Sequence, residues 1–239
     1  MPENFQSNML LQAANGNNLL IDCGSDARHS LDTVGLTSKD IDGVYVSHLH
    51  ADHVGGLEWL AFTTYFDMPK KRPKLFIHPD LLERLWCNVL SGGLQSLEGA
   101  KSADLNDFFE IIPCEGGRFI WEGVTFQLIQ TKHVFNGPAL APSYGLYFTT
   151  PQSNIFITTD TQFMPKEFQF YFEEATLIFH DCDTGVHKNP VHTHFSELLT
   201  LPKAIRQKIW LYHYQSKNGI NPVEDDFLGF VERGQTFQV

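Results

Sequence analysis

The segment Ser47-His48-Leu49-His50-Ala51-Asp52-His53 constrains this chain more than any other. Four metal-ligand side chains fall within six positions, directly after residues 43–47, an apolar run that reads as a strand. Residues two apart at a strand end point the same way. His48 and His50 can therefore grip one cation and leave Asp52 and His53 facing a neighbouring one. Imidazole and carboxylate suit Zn2+, and a catalytic site keeps one position open for water; the same ligands also suit Mn2+. The plain alternative is a polar surface loop. It fares poorly, because clustered histidines repel once protonated and gain little from exposure.

Six residues cannot close two sites, so further ligands must come from elsewhere. Three candidates share one setting, a polar residue ending an apolar strand-like run: His133 after TFQLIQTK, Asp160 after NIFITT and His213 after KIWLY. Strand patterns recur at 18–22, 43–47, 74–78, 124–130, 143–149, 154–159, 176–181 and 208–213, rich in Val, Ile, Phe and Tyr. Helical spacing appears at 54–66. A second helix is expected at 79–90, opening on a proline that suits a first turn, and a weaker one at 195–206, interrupted by Pro202. Strands interleaved with helices predict an α/β chain of two packed sheets with helices outside. Its 239 residues, 42% of them hydrophobic, are enough for one well-cored domain over 1–239. Residues 91–107, rich in Gly, Ser and Ala, read as an irregular insertion or cap.

Composition narrows the function. A formal net charge of −11 repels long polyanions and gives no counterion-release affinity, so a large nucleic-acid partner is not expected. The one basic run, MPKKRPK, reads as a solvated connector. No stretch approaches the length of a membrane span, and the first residues lack the pattern of a signal peptide. Cys23, Cys87, Cys114 and Cys182 match no zinc ribbon or C-x-x-C motif, which predicts reduced thiols in a cytoplasmic protein.

Asp22 in LIDCG, the HLHADH run, His133, Asp160 in ITTD and His213 together resemble the five ordered motifs of the metallo-β-lactamase superfamily. The resemblance implies a four-layer αβ/βα sandwich. It implies that His48, His50 and His133 hold one metal, that Asp52, His53 and His213 hold the second, and that Asp160 bridges them. Asp22 would orient the ligand loop from behind, and Asp52 would be indispensable to turnover as well as to binding. The start departs from many members, which place a further strand and a Gly-rich turn before the segment resembling ENFQSNMLL.

Paired metals can hydrolyse amides, thioesters, lactones or phosphodiesters, so accessory groups must decide. The best-known β-lactamases carry cysteine where Asp160 stands. Glyoxalase-type thioesterases usually add a helical carboxy-terminal domain, and only 26 residues follow His213. The run VHTHFSEL is similar to the histidine motif of the ribonuclease Z branch, in which a histidine backed by a carboxylate protonates the leaving oxygen. His192 fits that place, with Asp181 or Asp183 to orient it, while His192 or His194 capping the next helix is the structural alternative. Only 27 residues lead from His133 to Asp160, too few for the tRNA-grasping arm of that branch. The chain is closer to the compact cyclic-nucleotide phosphodiesterases of this fold, the anti-Pycsar type among them. The expectation is hydrolysis of a small, cyclic nucleotide phosphodiester by a metal-bridging hydroxide in a homodimer. A tRNA 3′-endonuclease, a thioesterase or lactonase, and a metal-stabilised binding protein stand as rivals. Trp59, Phe62, Tyr65 and Phe66 could stack a base or simply pack a core.

Overall fold

A computed structural model describes residues 4–99 and 101–239. The chain divides into two compact units, Phe5–Phe119 and Ile120–Val239.

The first unit carries a five-stranded sheet in the order β1 (Met9–Gln12), β2 (Asn18–Ile21), β3 (Gly43–Val46), β4 (Lys74–Ile77) and β5 (Glu110–Pro113). β1 runs antiparallel to β2, and the other pairings are parallel. β2 and β3 are buried throughout, which explains their continuous apolar runs rather than an alternation. β5 ends on Pro113, tolerable because it lies at the sheet edge. The helices of this unit are α1 (Ala27–Thr33), α2 (Ala51–Val54), α3 (Leu57–Phe66), α4 (Pro79–Arg84), α5 (Ser91–Leu94) and α6 (Leu105–Phe108). α4 starts as expected on Pro79, and a π-helical turn at Leu85–Leu90 carries the helix on into α5. The 91–107 stretch is therefore helical at both ends. Leu94, Leu105 and Phe108 from those ends are buried, so apolar anchoring overrides the Gly- and Ser-rich composition.

The second unit carries a seven-stranded sheet. Its strands are β6 (Arg118–Trp121), which begins on the last two residues of the first unit, β7 (Val124–Gln130), β10 (Tyr144–Thr149), β11 (Asn154–Ile157), β12 (Leu177–Asp181), β13 (Ile209–Tyr212) and β14 (Gly229–Phe230). A separate hairpin is formed by β8 (Phe135–Asn136) and β9 (Ala139–Leu140). The sheet order is β14-β13-β12-β11-β10-β7-β6. β11 through β14 are parallel, while β10 is antiparallel to both β11 and β7. β7 therefore runs in the direction of β11. Helices α7 (Gln169–Glu174), α8 (Phe195–Leu198) and α9 (Lys203–Arg206) complete the unit. Pro202 separates α8 from α9, as its missing N–H requires. The unit's core gathers Phe156, Phe168, Phe172, Ile178, Leu198 and Leu211. Each such side chain contributes about 1.5–3 kcal/mol on burial.

This topology decides where chemistry can sit. Open α/β sheets present ligand sites just beyond the carboxyl ends of parallel strands. Asp22 follows β2 and His48 follows β3. In the second sheet His133 follows β7, Asp160 follows β11, Asp181 ends β12 and His213 follows β13. Since these four strands share one direction, the four residues share one edge of that sheet.

Candidate functional site

In the first unit the chain leaves β2 through Asp22, whose φ of 63° is uncommon for a non-glycine residue. That turn buries its carboxylate completely. Oδ1 accepts the Ser47 backbone N–H at 2.9 Å, and Oδ2 accepts the Ser47 hydroxyl at 2.8 Å and His53 Nδ1 at 2.7 Å. An ionised carboxylate only accepts, so the His53 proton resides on Nδ1 and Nε2 offers a lone pair. Ser47 has given its one proton to Asp22. His48 Nδ1, 3.0 Å from that hydroxyl oxygen, is then the donor, and its Nε2 carries the lone pair. His48 Nε2 lies 3.1 Å from His50 Nδ1, and His53 Nε2 lies 3.6 Å from Asp52 Oδ2. The His48 ring sits 4.0 Å from that of His53 and 4.7 Å from that of His50. The loop is pinned by Cys23 N–H to the His53 carbonyl at 2.7 Å and by Gly56 N–H to the Cys23 carbonyl at 2.8 Å. A Cβ on Gly56 would stand 2.4 Å from the Gly24 carbonyl oxygen, so only glycine permits this approach.

In the second unit His133 donates from Nδ1 to the Val191 carbonyl at 2.8 Å, leaving Nε2 facing Asp160 Oδ2 at 3.6 Å. His213, at φ 64°, places Nε2 3.5 Å from Asp160 Oδ1 and Nδ1 3.6 Å from Asp181 Oδ1. Asp160, Asp181, His192 and His213 offer ligand-type atoms all within 4.8 Å of one another. Both carboxylates are essentially out of solvent, an arrangement that is costly without positive charge nearby.

His192 Nδ1 is 2.9 Å from Asp181 Oδ2. Of the two carboxylates considered as its orienter, Asp181 makes the contact, while Asp183 accepts backbone N–H groups of Gly185 and Asn189. Burial pulls the His192 pKa down, but the hydrogen bond and charge of Asp181, with Asp160 beyond, outweigh it and hold the pKa above the usual imidazole value. Burial pushes the Asp181 pKa up, yet the hydrogen bonds from His192 and His213 bring it below the usual carboxylate value. The helix-capping alternative belongs to His194, whose Nδ1 accepts the Ser196 N–H at the start of α8. His78 caps α4 in the same way, and His180 is buried with Nδ1 on the Asp181 carbonyl. Phe62 and Tyr65 are half-buried and pack on Phe108, Trp59 is half-buried, and Phe66 is exposed. The basic run is spent on local contacts: Lys71 with Asp42, Arg72 with the Phe109 carbonyl and Lys70 over the Tyr65 ring.

Two contributors escaped the sequence. Ser47 relays between Asp22 and His48, and its place beside the histidine run is the signal that could have found it. The Val191 carbonyl fixes His133, and a backbone oxygen carries no signal in sequence.

The residues fit a divalent cation by their donor chemistry: His48 and His53 imidazoles with lone pairs on Nε2 in one unit, and buried carboxylates among imidazoles in the other. A sequence-family model described as "Anti-Pycsar protein Apyc1" matches residues 1–237. The anti-Pycsar protein Apyc1 of Paenibacillus harenae is 38% identical over 217 residues, 88% of this chain and 83% of its own length. Among solved structures, the metallo-β-lactamase fold protein YhfI from Bacillus subtilis aligns at TM-score 0.71 and 18% identity over 97% of this chain and 90% of its own. The short form of human tRNase Z aligns at TM-score 0.67 and 18% identity, covering 98% and 93%. The solved structures speak for the fold and the relative for the family: this chain has the metallo-β-lactamase fold and belongs to the anti-Pycsar protein Apyc1 family.

Proposed function

We propose that this protein is a binuclear metal-dependent phosphodiesterase that opens small cyclic nucleotides. Under this reading His48, His50 and His133 ligate one ion, Asp52, His53 and His213 ligate the other, and Asp160 serves both. The order of the motifs along the chain and the tautomers fixed within each cluster support that assignment. Two divalent ions bound there would supply an activated water and neutralise charge on the phosphoryl group.

The observation that carries the reading is the Asp181–His192 pair beside Asp160. Ring opening of a cyclic phosphodiester expels a ribose alkoxide, which benefits from a proton. Asp181 holds Nδ1, so Nε2 is the atom that delivers it. The raised His192 pKa keeps the ring protonated further towards neutrality. The acid form is populated below that pKa, so turnover falls as pH rises through it. The family name, anti-Pycsar, supports a cyclic-nucleotide signal as substrate. The interval from His133 to Asp160 is taken up by β8–β9, β10 and β11, which favours a small substrate over tRNA.

Turnover of a panel tests this: 3′,5′- and 2′,3′-cyclic mononucleotides, bis-p-nitrophenyl phosphate and an unprocessed tRNA, with metal-loaded protein. Fast cleavage of a cyclic mononucleotide without a cut in the tRNA is expected; cleavage of the tRNA alone overturns the reading. His192→Gln should keep its metals and slow cyclic nucleotides about 10²–10⁴-fold. It should barely affect p-nitrophenolate departure, which needs no proton. Equal slowing of both substrates would remove His192 as the leaving-group acid.

A further inference from the structure

We infer that Asp183 is a positioning residue for His192, acting through the loop 184–192; the inference rests on the acid role proposed above. Asp183 does not touch His192. Instead it closes the loop that carries it. Its backbone N–H donates to the Thr193 carbonyl at 2.7 Å, and its carbonyl accepts the Phe195 N–H at 2.8 Å. Its carboxylate then reaches inward, Oδ1 taking the Gly185 N–H at 2.9 Å and Oδ2 the Asn189 N–H at 3.2 Å. His194 completes the buckle by donating from Nε2 to the Gly185 carbonyl at 2.8 Å. Residues 186–190 are exposed, with Val186 89% accessible, so core packing does little to hold this loop. At Gly185 a Cβ would stand 3.1 Å from Asp183 Oδ1, so a larger residue there must push the carboxylate aside by a few tenths of an ångström.

A leaving-group acid misplaced by about an ångström loses much of its effect. The loop reaches the site at Val191, whose carbonyl holds His133, and at His192 itself. Thr193 Oγ anchors the far end on the Thr161 carbonyl at 2.9 Å. Asp183 thus fixes the near half of the loop, Thr193 the far half, and His192 is presented between them.

The test compares Asp183→Ala, Asp183→Asn and His192→Gln. Asp183→Ala should lower kcat on a cyclic mononucleotide about tenfold or more beyond any loss on bis-p-nitrophenyl phosphate, both compared at matched metal content. Asp183→Asn retains one acceptor and should recover part of the loss. In metal-free protein, amide exchange at Gly185 and Asn189 should quicken in Asp183→Ala while the β12 amides stay protected. Parallel loss on both substrates, or unchanged exchange at the two amides, overturns the inference. If His192→Gln itself slows both substrates equally, the acid role has failed rather than the buckle. If His192→Gln is selective and both Asp183 variants match wild type, the buckle alone has failed. Should Asp183→Ala not fold, the Asp183→Asn comparison decides.

Discussion

At the scale of single residues, the histidine cluster is held by groups outside the proposed ligand set. Asp22 satisfies three buried donors at once, so Asp22→Ala strands them and releases the His53 tautomer. Loss of such a supporting carboxylate costs about 10–100-fold in metal affinity. Titration of metal-free variant with Zn2+ or Mn2+ should show that weakening; unchanged affinity would mean that His53 is oriented by something else. Gly56→Ala acts through backbone rather than chemistry. Its Cβ meets the Gly24 carbonyl oxygen and Cys23 Sγ, so the loop must shift at a cost of about 1–3 kcal/mol, readable in a urea melt. The ligand-type residues themselves were legible in sequence, because four in six positions have no cheap structural explanation. The Val191 carbonyl was not, because backbone oxygens are alike in every sequence and only the fold selects one.

At the scale of elements, the eight expected strands all exist; β7 keeps its expected bounds, and β2, β3, β4, β11 and β13 stop a residue or two short at their carboxyl ends. Asp22, Ser47, His78, Thr159 and His213 continue the apolar strand pattern in sequence but lie just past the strands. Asp22, Thr159 and His213 have φ of 63°, 50° and 64°, a turn that no extended pattern foretells. β1, β5, β6 and β14 were not legible. They are two to four residues long, and pairing with a neighbouring strand, not their own pattern, makes them strands. α7 illustrates an element whose weight lies in packing. It is six residues long, too short to hold itself, and Phe172 seats it against Phe156, Phe168 and His180. Phe172→Ala should cost about 3–5 kcal/mol in chemical denaturation. A loss under about 1 kcal/mol would mean that α7 is held by its polar face instead.

At the scale of the whole molecule, the acidic balance is one argument with the metal site. A chain of net charge −11 already repels itself, and it buries Asp160 and Asp181 close enough that each raises the cost of ionising the other. Cations bound at these carboxylates would turn that liability into stabilisation, by about 2.7 kcal/mol at a hundredfold excess over Kd for one site. Chelation should therefore lower the thermal midpoint. Asp160→Asn makes the cause visible. In metal-free protein it removes one of two crowded buried charges and should leave the midpoint unchanged or higher. With metal present it removes the proposed shared ligand and should lower the midpoint relative to wild type. That crossover separates a carboxylate kept for a cation from one kept for its hydrogen bonds. A variant destabilised equally with and without metal would place Asp160 in the second class, and the two-metal assignment would lose its bridge.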